Sequence, residues 1–555
     1  MKKKSEGGIE VIQLLKKNWN WFILAAILLL SFYIRTYHID YPVIGYHNMK
    51  EAHTLGEAWF MYESGDYFVD KEIYSITFSN PNGSHMDNFP LLAWIIVVLW
   101  KIFGVKIWLA RLVIILFTLG AIYFSYLVVR KLFKREDIAL LSSFLISICP
   151  LLIFFGRNFQ YDMPALFFMM IAIYLFLCWR ENDTFKNFLL FCLFLTLSAL
   201  TKLSFMVIAI PILAVFPYKR LDIRTQNFKK KYIKQYLVGF FFFLIILLFL
   251  YYTEYLNKVY SIPPSINFFA LENLPQLLTI EFWKAVYVYA TVDNFTTLGL
   301  LIALFGLILI IPKIKKWNYR FLLFWFFSYI AYAASSPPQM MGHNYYQIPY
   351  APLIMIMIAY SLLLIFNTIF SFVRLKPKIL ERLAVFACIL IVIVFWYPAL
   401  KLSTTRQFDT QFYGLDIAGE YINENSLPNE VVFESGHQDR GMAWHAKRRL
   451  AEFNTVEDLK KGEEELNVSW VFVYQWGFQQ ILGNQELQKY IYDTYSLKQV
   501  ALIQSSQGNQ PVYFLFKKGG SFNESNLNNM LNNRPINTKD YELTSGNFQI
   551  IYINV

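Results

Sequence analysis

Charge is scarce in this chain. Only 16% of its 555 residues are charged, against 56% hydrophobic and 19% aromatic. A soluble protein needs more charge than this to cover its surface, and disordered or collagen-like chains are excluded by the same numbers. Cysteine is scarce too. The four present, Cys149, Cys178, Cys192 and Cys388, all lie inside apolar segments, so neither a disulfide framework nor a cysteine-based zinc site is available. Within the apolar runs almost no charge sits near a centre, where a proton-coupled transporter would place ionisable groups.

What the chain has is a series of long apolar runs from Trp19 to Trp396, many near the ~20 residues that cross a bilayer as helix. Spanning helices are predicted over 18–34, 108–128, 138–155, 164–179, 188–201, 203–217, 235–252, 295–312, 320–334, 346–366 and 382–400, about eleven in all. The first run reads as an anchor rather than a removed signal peptide, since no small-residue cleavage site follows it. The net charge of +11 belongs mostly to short loops between runs, which fits membrane orientation better than a nucleic-acid footprint.

The stretch 89–103 decides the topology. Read as re-entrant or interfacial and entered through Phe89-Pro90, it puts every basic loop on one side: the tail with Lys2, Lys3, Lys4, Lys16 and Lys17, then Arg130 to Arg135, Lys219 to Lys234, Lys313 to Arg320, and Arg374 to Arg382. The positive-inside bias makes that side cytoplasmic. Segment 35–88, with eight acidic and three basic residues, then lies outside, as do residues 401–555. The predicted domains are a cytoplasmic tail 1–17, a membrane domain 18–400 with an outer loop 35–107, and an extracytoplasmic domain 401–555. The last alternates β-like runs (Val431 to Phe433, Val468 to Tyr474, Val512 to Phe516) with an amphipathic stretch from Leu415 to Ile422, which predicts a small α/β domain. It has no glycine-rich phosphate loop and no metal-ligand spacing.

The polar residues gather at outward helix ends and in outward loops. Tyr46-His47-Asn48-Met49-Lys50-Glu51-Ala52-His53 opens the first loop and His85-Met86-Asp87-Asn88 closes it. Arg111 begins the next span, Arg157 and Asp162 lie in one connection, Lys202 in a tight turn, and His343-Asn344-Tyr345-Tyr346 in the last loop. Bland readings exist for each. Arg111 and Lys202 can snorkel, Tyr345 and Tyr346 can belong to an aromatic belt, His53 and His85 can be solvated, and Asp162 can pair with Arg157. Agreement in side favours function. Such a set suits a phosphorylated lipid at headgroup level, with Arg and Lys on the phosphate and a carboxylate as general base.

At these residues the chain resembles lipid-linked-sugar glycosyltransferases of the GT-C type, nearest to the family-39 relatives of protein O-mannosyltransferases, the lipid A aminoarabinose transferase and bacterial lipopolysaccharide sugar transferases. The resemblance covers residues 20–400 in order: Glu51-Ala52, Gly65-Asp66-Tyr67-Phe68-Val69, Asn88-Phe89-Pro90-Leu91-Leu92-Ala93-Trp94, Lys101-Ile102-Phe103-Gly104, Ala110-Arg111-Leu112, Phe155-Gly156-Arg157 with Asp162, Leu200-Thr201-Lys202, and His343 through Pro349. It implies a sugar taken from a polyprenyl-phosphate donor outside the membrane, with inversion. Glu51 matches the second acid of the family's Asp-Glu pair, Arg111 and Arg157 its recurrent arginines, and Lys202 a phosphate-side lysine. Lys50 stands where the first acid of the pair is usual, so Asp87 and Asp162 rival Glu51 as base. Lys50, His343, Tyr345 and Tyr346 join the donor-binding set. Some relatives hold a divalent metal, for which Asp87 with His343 is the available pair; no other cofactor is implied. The absence of any Asp-x-Asp agrees with a lipid-borne rather than nucleotide-borne donor.

The expectation is a multi-pass plasma-membrane glycosyltransferase acting on a cell-wall polymer, glycolipid or protein, with membrane lipids rather than nucleic acid as surroundings. The rivals are a transporter or flippase of lipid-linked sugars, a non-catalytic wall-binding membrane protein, and a transferase of another phospholipid-borne group such as phosphoethanolamine. Impermeant labelling from outside intact cells should leave the segment from Lys219 to Lys234 unmodified; modification there would reverse the orientation.

Overall fold

The computed structural model describes the chain except residues 1, 68–70, 87, 219–230, 262–270, 372–376, 437–439, 506–507 and 533. It divides into two compact units.

The first unit comprises Met1–Ile39, Arg111–Tyr251 and Ile266–Thr404 and is helical. Among the described residues five helices are long and apolar enough to cross a bilayer, or six if a pair bent by 108° at Phe295–Thr296 counts as one span. Hydrocarbon offers the backbone no hydrogen-bond partners, so continuous helix is the form these apolar runs must take. Exposure separates lipid-facing from central helices. The window in Tyr232–Val259 is only 11% buried, with Leu237, Phe240, Phe241 and Leu248 exposed, whereas that in Asn344–Ile369 is 89% buried. Most of the runs predicted from sequence fall on helix, although 138–155 is split at Cys149 into Glu136–Ser147 and Pro150–Phe154, and 203–217 is a 3-10 stretch, Leu203–Ile208, followed by the short helix Ala209–Ala214.

Two helices of this unit, Asp162–Asn182 and Phe185–Thr201, form an antiparallel hairpin. Asp183 closes the first helix in a left-handed conformation (φ 50°), and Ser198 Oγ donates to the Ala165 carbonyl at 2.9 Å across the pair. Arg35, at the end of the first helix, is fully buried and braces the next connection. It donates to the carbonyls of Leu152 (3.1 Å) and Ser147 (3.1 Å) and to Ser31 Oγ (2.6 Å). Gly156 makes room for it, since a Cβ there would lie 2.5 Å from Arg35 Nε and 2.1 Å from the Leu152 carbonyl.

The second unit comprises Asp40–Ala110, Tyr252–Ser265 and Thr405–Val555, so the outer loop folds with the C-terminal region. Its first segment holds helix Asn48–Ser64, a short antiparallel pair β1 (Lys71–Glu72) and β2 (Ser84–His85), and helix Leu91–Phe103. That last helix has 13 residues, a rise of about 20 Å, short of the ~30 Å hydrocarbon core. The C-terminal region carries β3 (Val431–Glu434), β4 (Arg449–Ala451), β5 (Val468–Tyr474), β6 (Tyr495–Ser505), β7 (Gly508–Lys518), β8 (Asn537–Leu543) and β9 (Gly546–Asn554). They form one mixed sheet in the order β4-β3-β5-β7-β6-β9-β8, parallel at β4-β3-β5 and antiparallel beyond. β5 reads as a nearly unbroken apolar run because both faces of the sheet are covered. Trp470, Phe472 and Tyr474 enter one core and Val471 and Val473 the other. Ile44 and Tyr74 of the outer segment lie in the first of these cores.

A buried polar knot closes this sheet. Tyr541 Oη donates to Asp416 Oδ1 at 2.6 Å and accepts from the Gly414 N–H at 3.1 Å, and Lys539 Nζ lies 2.8 Å from Asp416 Oδ2. Burial, then the Asp416 charge, pushes the Tyr541 phenol far above its usual range. Burial pulls Lys539 down, but Asp416 and Glu420 outweigh it and its ammonium is raised. Both groups are held in their proton-bound form, so their contribution is complete below their unfolded values near pH ~10 and is lost as pH rises beyond them. Tyr541→Phe should destabilise the unit by about 1–3 kcal/mol, by leaving part of a buried carboxylate unsatisfied, and should flatten the loss of stability above pH ~10. Denaturant unfolding followed at several pH values checks both.

Candidate functional site

The hairpin of Asp162–Asn182 and Phe185–Thr201 brings two of the sequence-selected residues together. Because the helices are antiparallel, the start of one and the end of the other meet. Asp162 occupies the first turn of its helix and Lys202 follows the last residue of its own, each where the helix dipole favours its charge. Lys202 Nζ donates to both carboxylate oxygens of Asp162, at 2.7 and 2.9 Å. The Asp162 side chain is 4% exposed and that of Lys202 19%. Asp162 therefore pairs with Lys202, not with Arg157 as one sequence reading had it.

The last outward loop joins this pair. Lys202 Nζ stands 4.6 Å from the Tyr345 ring centroid and 5.3 Å from that of Tyr346. His343 stacks on Tyr345 at 5.0 Å, and Phe155 meets Tyr345 edge-on at 5.6 Å. Tyr345 is buried, so an aromatic-belt residue it is not. Asn294 and Gln347 fix the loop: Asn294 Nδ2 donates to Gln347 Oε1 (2.9 Å) and to the Asn344 carbonyl (3.1 Å), and Gln347 Nε2 to the Val286 carbonyl (3.1 Å).

Arg111 and Arg157 converge on a single backbone oxygen. Arg111 Nη1 donates to the carbonyls of His38 (3.1 Å) and Ile39 (3.3 Å), and Arg157 Nη1 to that of His38 at 2.5 Å. Both side chains are buried. A snorkelling arginine would reach for water; these two tie the turn after the first helix to helix Ile107–Phe133 and to the connection that precedes Asp162.

The remaining candidates belong to the second unit. Glu51, 5% exposed, sits in the first turn of helix Asn48–Ser64, and Lys50 beside it is half-buried. The same helix buries a second carboxylate that the sequence reading passed over: Glu57 is fully buried, with Oε1 3.3 Å from His53 Nε2. His53 meets His85 edge-on at 4.9 Å, and His85 is buried. The solvated reading fails for His85, while His53 is partly exposed; the i,i+4 spacing of His53 and Glu57 was the available signal. Asp87 lies outside the described residues. Among the described residues no three His, Cys, Asp or Glu side chains gather into a group able to hold a metal ion.

Comparison with known proteins gives two findings. A family described as dolichyl-phosphate-mannose-protein mannosyltransferase matches residues 87–252, the stretch that contains Arg111, Arg157, Asp162 and Lys202. No curated protein is matched by sequence. Among solved structures, the chain is similar to the archaeal oligosaccharyltransferase AglB from Archaeoglobus fulgidus, solved with an inhibitory peptide and a dolichol-phosphate: 15% identity, TM-score 0.57, over 91% of this chain and 75% of that one. It is also similar to ArnT from Cupriavidus metallidurans bound to undecaprenyl phosphate: 13% identity, TM-score 0.52, over 90% of this chain and 98% of that one. At these identities the likeness establishes the fold alone, a multi-pass helical membrane protein with a C-terminal sheet domain. The matched family is one of glycosyltransferases, so the resemblance read from the motifs agrees with both findings.

Removing one partner of the Asp162–Lys202 pair strands the other. Lys202→Met should destabilise the protein by about 3–5 kcal/mol, whereas Lys202→Met with Asp162→Asn should recover most of that loss. Thermal unfolding in detergent checks the cycle.

Proposed function

We propose that the protein is a membrane glycosyltransferase that moves a sugar from a polyprenyl-phosphate donor to an extracytoplasmic acceptor, a cell-wall polymer, glycolipid or protein. The observation that carries this is the family match over 87–252, because that stretch includes Arg111, Arg157, Asp162 and Lys202 of the motif reading. The structures with dolichol-phosphate and undecaprenyl phosphate support a lipid-phosphate donor. In this reading about eleven helices span the plasma membrane, the N-terminus is cytoplasmic and residues 401–555 are extracytoplasmic.

The reaction follows from the residue chemistry. Glu51 takes the proton of the acceptor hydroxyl as general base, its carboxylate favoured at a helix N-terminus. The acceptor oxygen bonds to the anomeric carbon on the face opposite the phosphate. The bond from that carbon to the phosphate oxygen breaks with inversion, and polyprenyl phosphate leaves with the electron pair. Lys202 holds the departing phosphate, exchanging part of its contact with Asp162 for the phosphate oxygens, and Tyr345, Tyr346 and His343 shape its surroundings. Arg111 and Arg157 hold the backbone at His38 and add positive charge. Asp87 with His343 remains the pair available to a divalent metal, and none of these steps uses one. One preorganised cation on the leaving group is worth about 3 kcal/mol, or ~10²-fold in rate.

Purified protein in detergent, given a polyprenyl-phosphate sugar and acceptor without any membrane gradient, should transfer sugar; a transporter or flippase would not. Glu51→Gln should abolish transfer while the protein stays folded, and retained activity would remove Glu51 as the base.

A further inference from the structure

The helix that carries Glu51 does not stand by itself. The chain leading into it, residues 41–47, has no regular secondary structure apart from one bridge between Gly45 and Gln411, and His47 precedes the helix in a left-handed conformation (φ 58°) without a side-chain cap. Buried polar backbone must find partners, and here residues 405–555 supply them. Tyr41 Oη donates to Gln411 Oε1 at 3.0 Å, the Phe412 N–H to the Ile44 carbonyl at 2.7 Å, and the Val43 N–H to His445 Nε2 at 3.2 Å. Asn48, three residues before Glu51, accepts the Gly441 N–H on Oδ1 at 2.8 Å. Val43, Ile44 and Asn48 are all 0–1% exposed.

A second hold lies further along the same helix. Lys447 closes the helix Gly441–Ala446 in a left-handed conformation (φ 53°) and places its Nζ between two indoles, 4.5 Å from the Trp59 centroid and 2.8 Å from that of Trp444. The Nζ is buried without a hydrogen-bond partner. Burial pulls this ammonium well below its usual range, opposed by the Glu63 charge, and the two ring faces lie against it.

We propose that the C-terminal domain is a positioning element of the transferase: Asn48–Gly441 and Trp59–Lys447–Trp444 hold helix Asn48–Ser64 at two points and thereby fix where Glu51 presents its carboxylate. Glu51 falls between the two holds. This rests on the reading of Glu51 as base. Its consequence is kinetic, because a displacement of about 1 Å in a reacting group costs ~10²-fold in rate. Gly441 is the sensitive position. A Cβ there would lie 2.3 Å from the Val43 carbonyl and 2.7 Å from Asn48 Oδ1, so Gly441→Ala must push the segment before Glu51 away.

The test uses the full-length protein in detergent with a polyprenyl-phosphate sugar donor. Gly441→Ala should lower kcat by ~10²-fold while the donor KM stays within about twofold, because the phosphate-side residues are untouched. Lys447→Met should lower kcat about tenfold and Lys447→Arg should restore it, since a guanidinium keeps the stacking on indole. Hydrogen exchange should quicken at residues 48–53 in Gly441→Ala and stay unchanged in β5 and β7. Wild-type kcat in both Gly441→Ala and Lys447→Met overturns the proposal, as does a loss of activity that appears only together with lost protection of β5 and β7. If Glu51→Gln is inactive while Gly441→Ala keeps full kcat, positioning fails and the base assignment stands. If Glu51→Gln is active while Gly441→Ala loses kcat with unchanged KM, the domain positions the segment and the base is another residue.

Discussion

Charge cannot rest unpaired in hydrocarbon, and the helical unit is arranged around that constraint. Its charged side chains sit mostly at helix ends, and the buried Asp162 is paired. The Asp162–Lys202 contact shows how this is achieved. A hairpin of two apolar helices delivers a carboxylate at one terminus and an ammonium at the other, each matched to the local helix dipole. The pair then lies beside a buried tyrosine and a stacked histidine. A lysine held in this way is oriented before any ligand arrives, which is what recognition of a lipid phosphate requires.

The arginines do a different job. Arg35, Arg111 and Arg157 each donate to backbone carbonyls, two of them to that of His38. Their planar fork suits this bracing of helix ends, where several carbonyls lack intrahelical partners. Gly156 belongs to the same arrangement, since its missing Cβ is the space that Arg35 fills. The step Gly156-Arg157 therefore has a structural reason.

The second unit solves a separate problem. Its outer segment has two short strands and two helices and shares the core of the sheet domain: Ile44 and Tyr74 pack among Val432, Trp470 and Phe472. Further ties run from the Ile76 N–H to the Leu450 carbonyl at 2.8 Å and from Arg449 to Glu72. A segment so dependent on its neighbour has its geometry set from far along the chain.

Much of this was legible in the sequence. Apolar runs dictated helices because lipid permits no other backbone, and the strands Val431 to Phe433 and Val468 to Tyr474 announced themselves by β-branched and aromatic content. Residues Lys202 and Arg157 could be chosen because charge at the end of an apolar run is conspicuous. Pairings could not be read. That Asp162 belongs to Lys202, forty residues away, follows only from the antiparallel packing of two helices. Nor could the burial of Glu57, the enclosure of His85, or the bond between Asn48 and Gly441, 393 residues apart, be inferred. Local pattern determines what each segment becomes, because backbone and solvent act on neighbours in sequence. Which side chains lose their water, and to whom they are bonded afterwards, is decided only when distant segments pack.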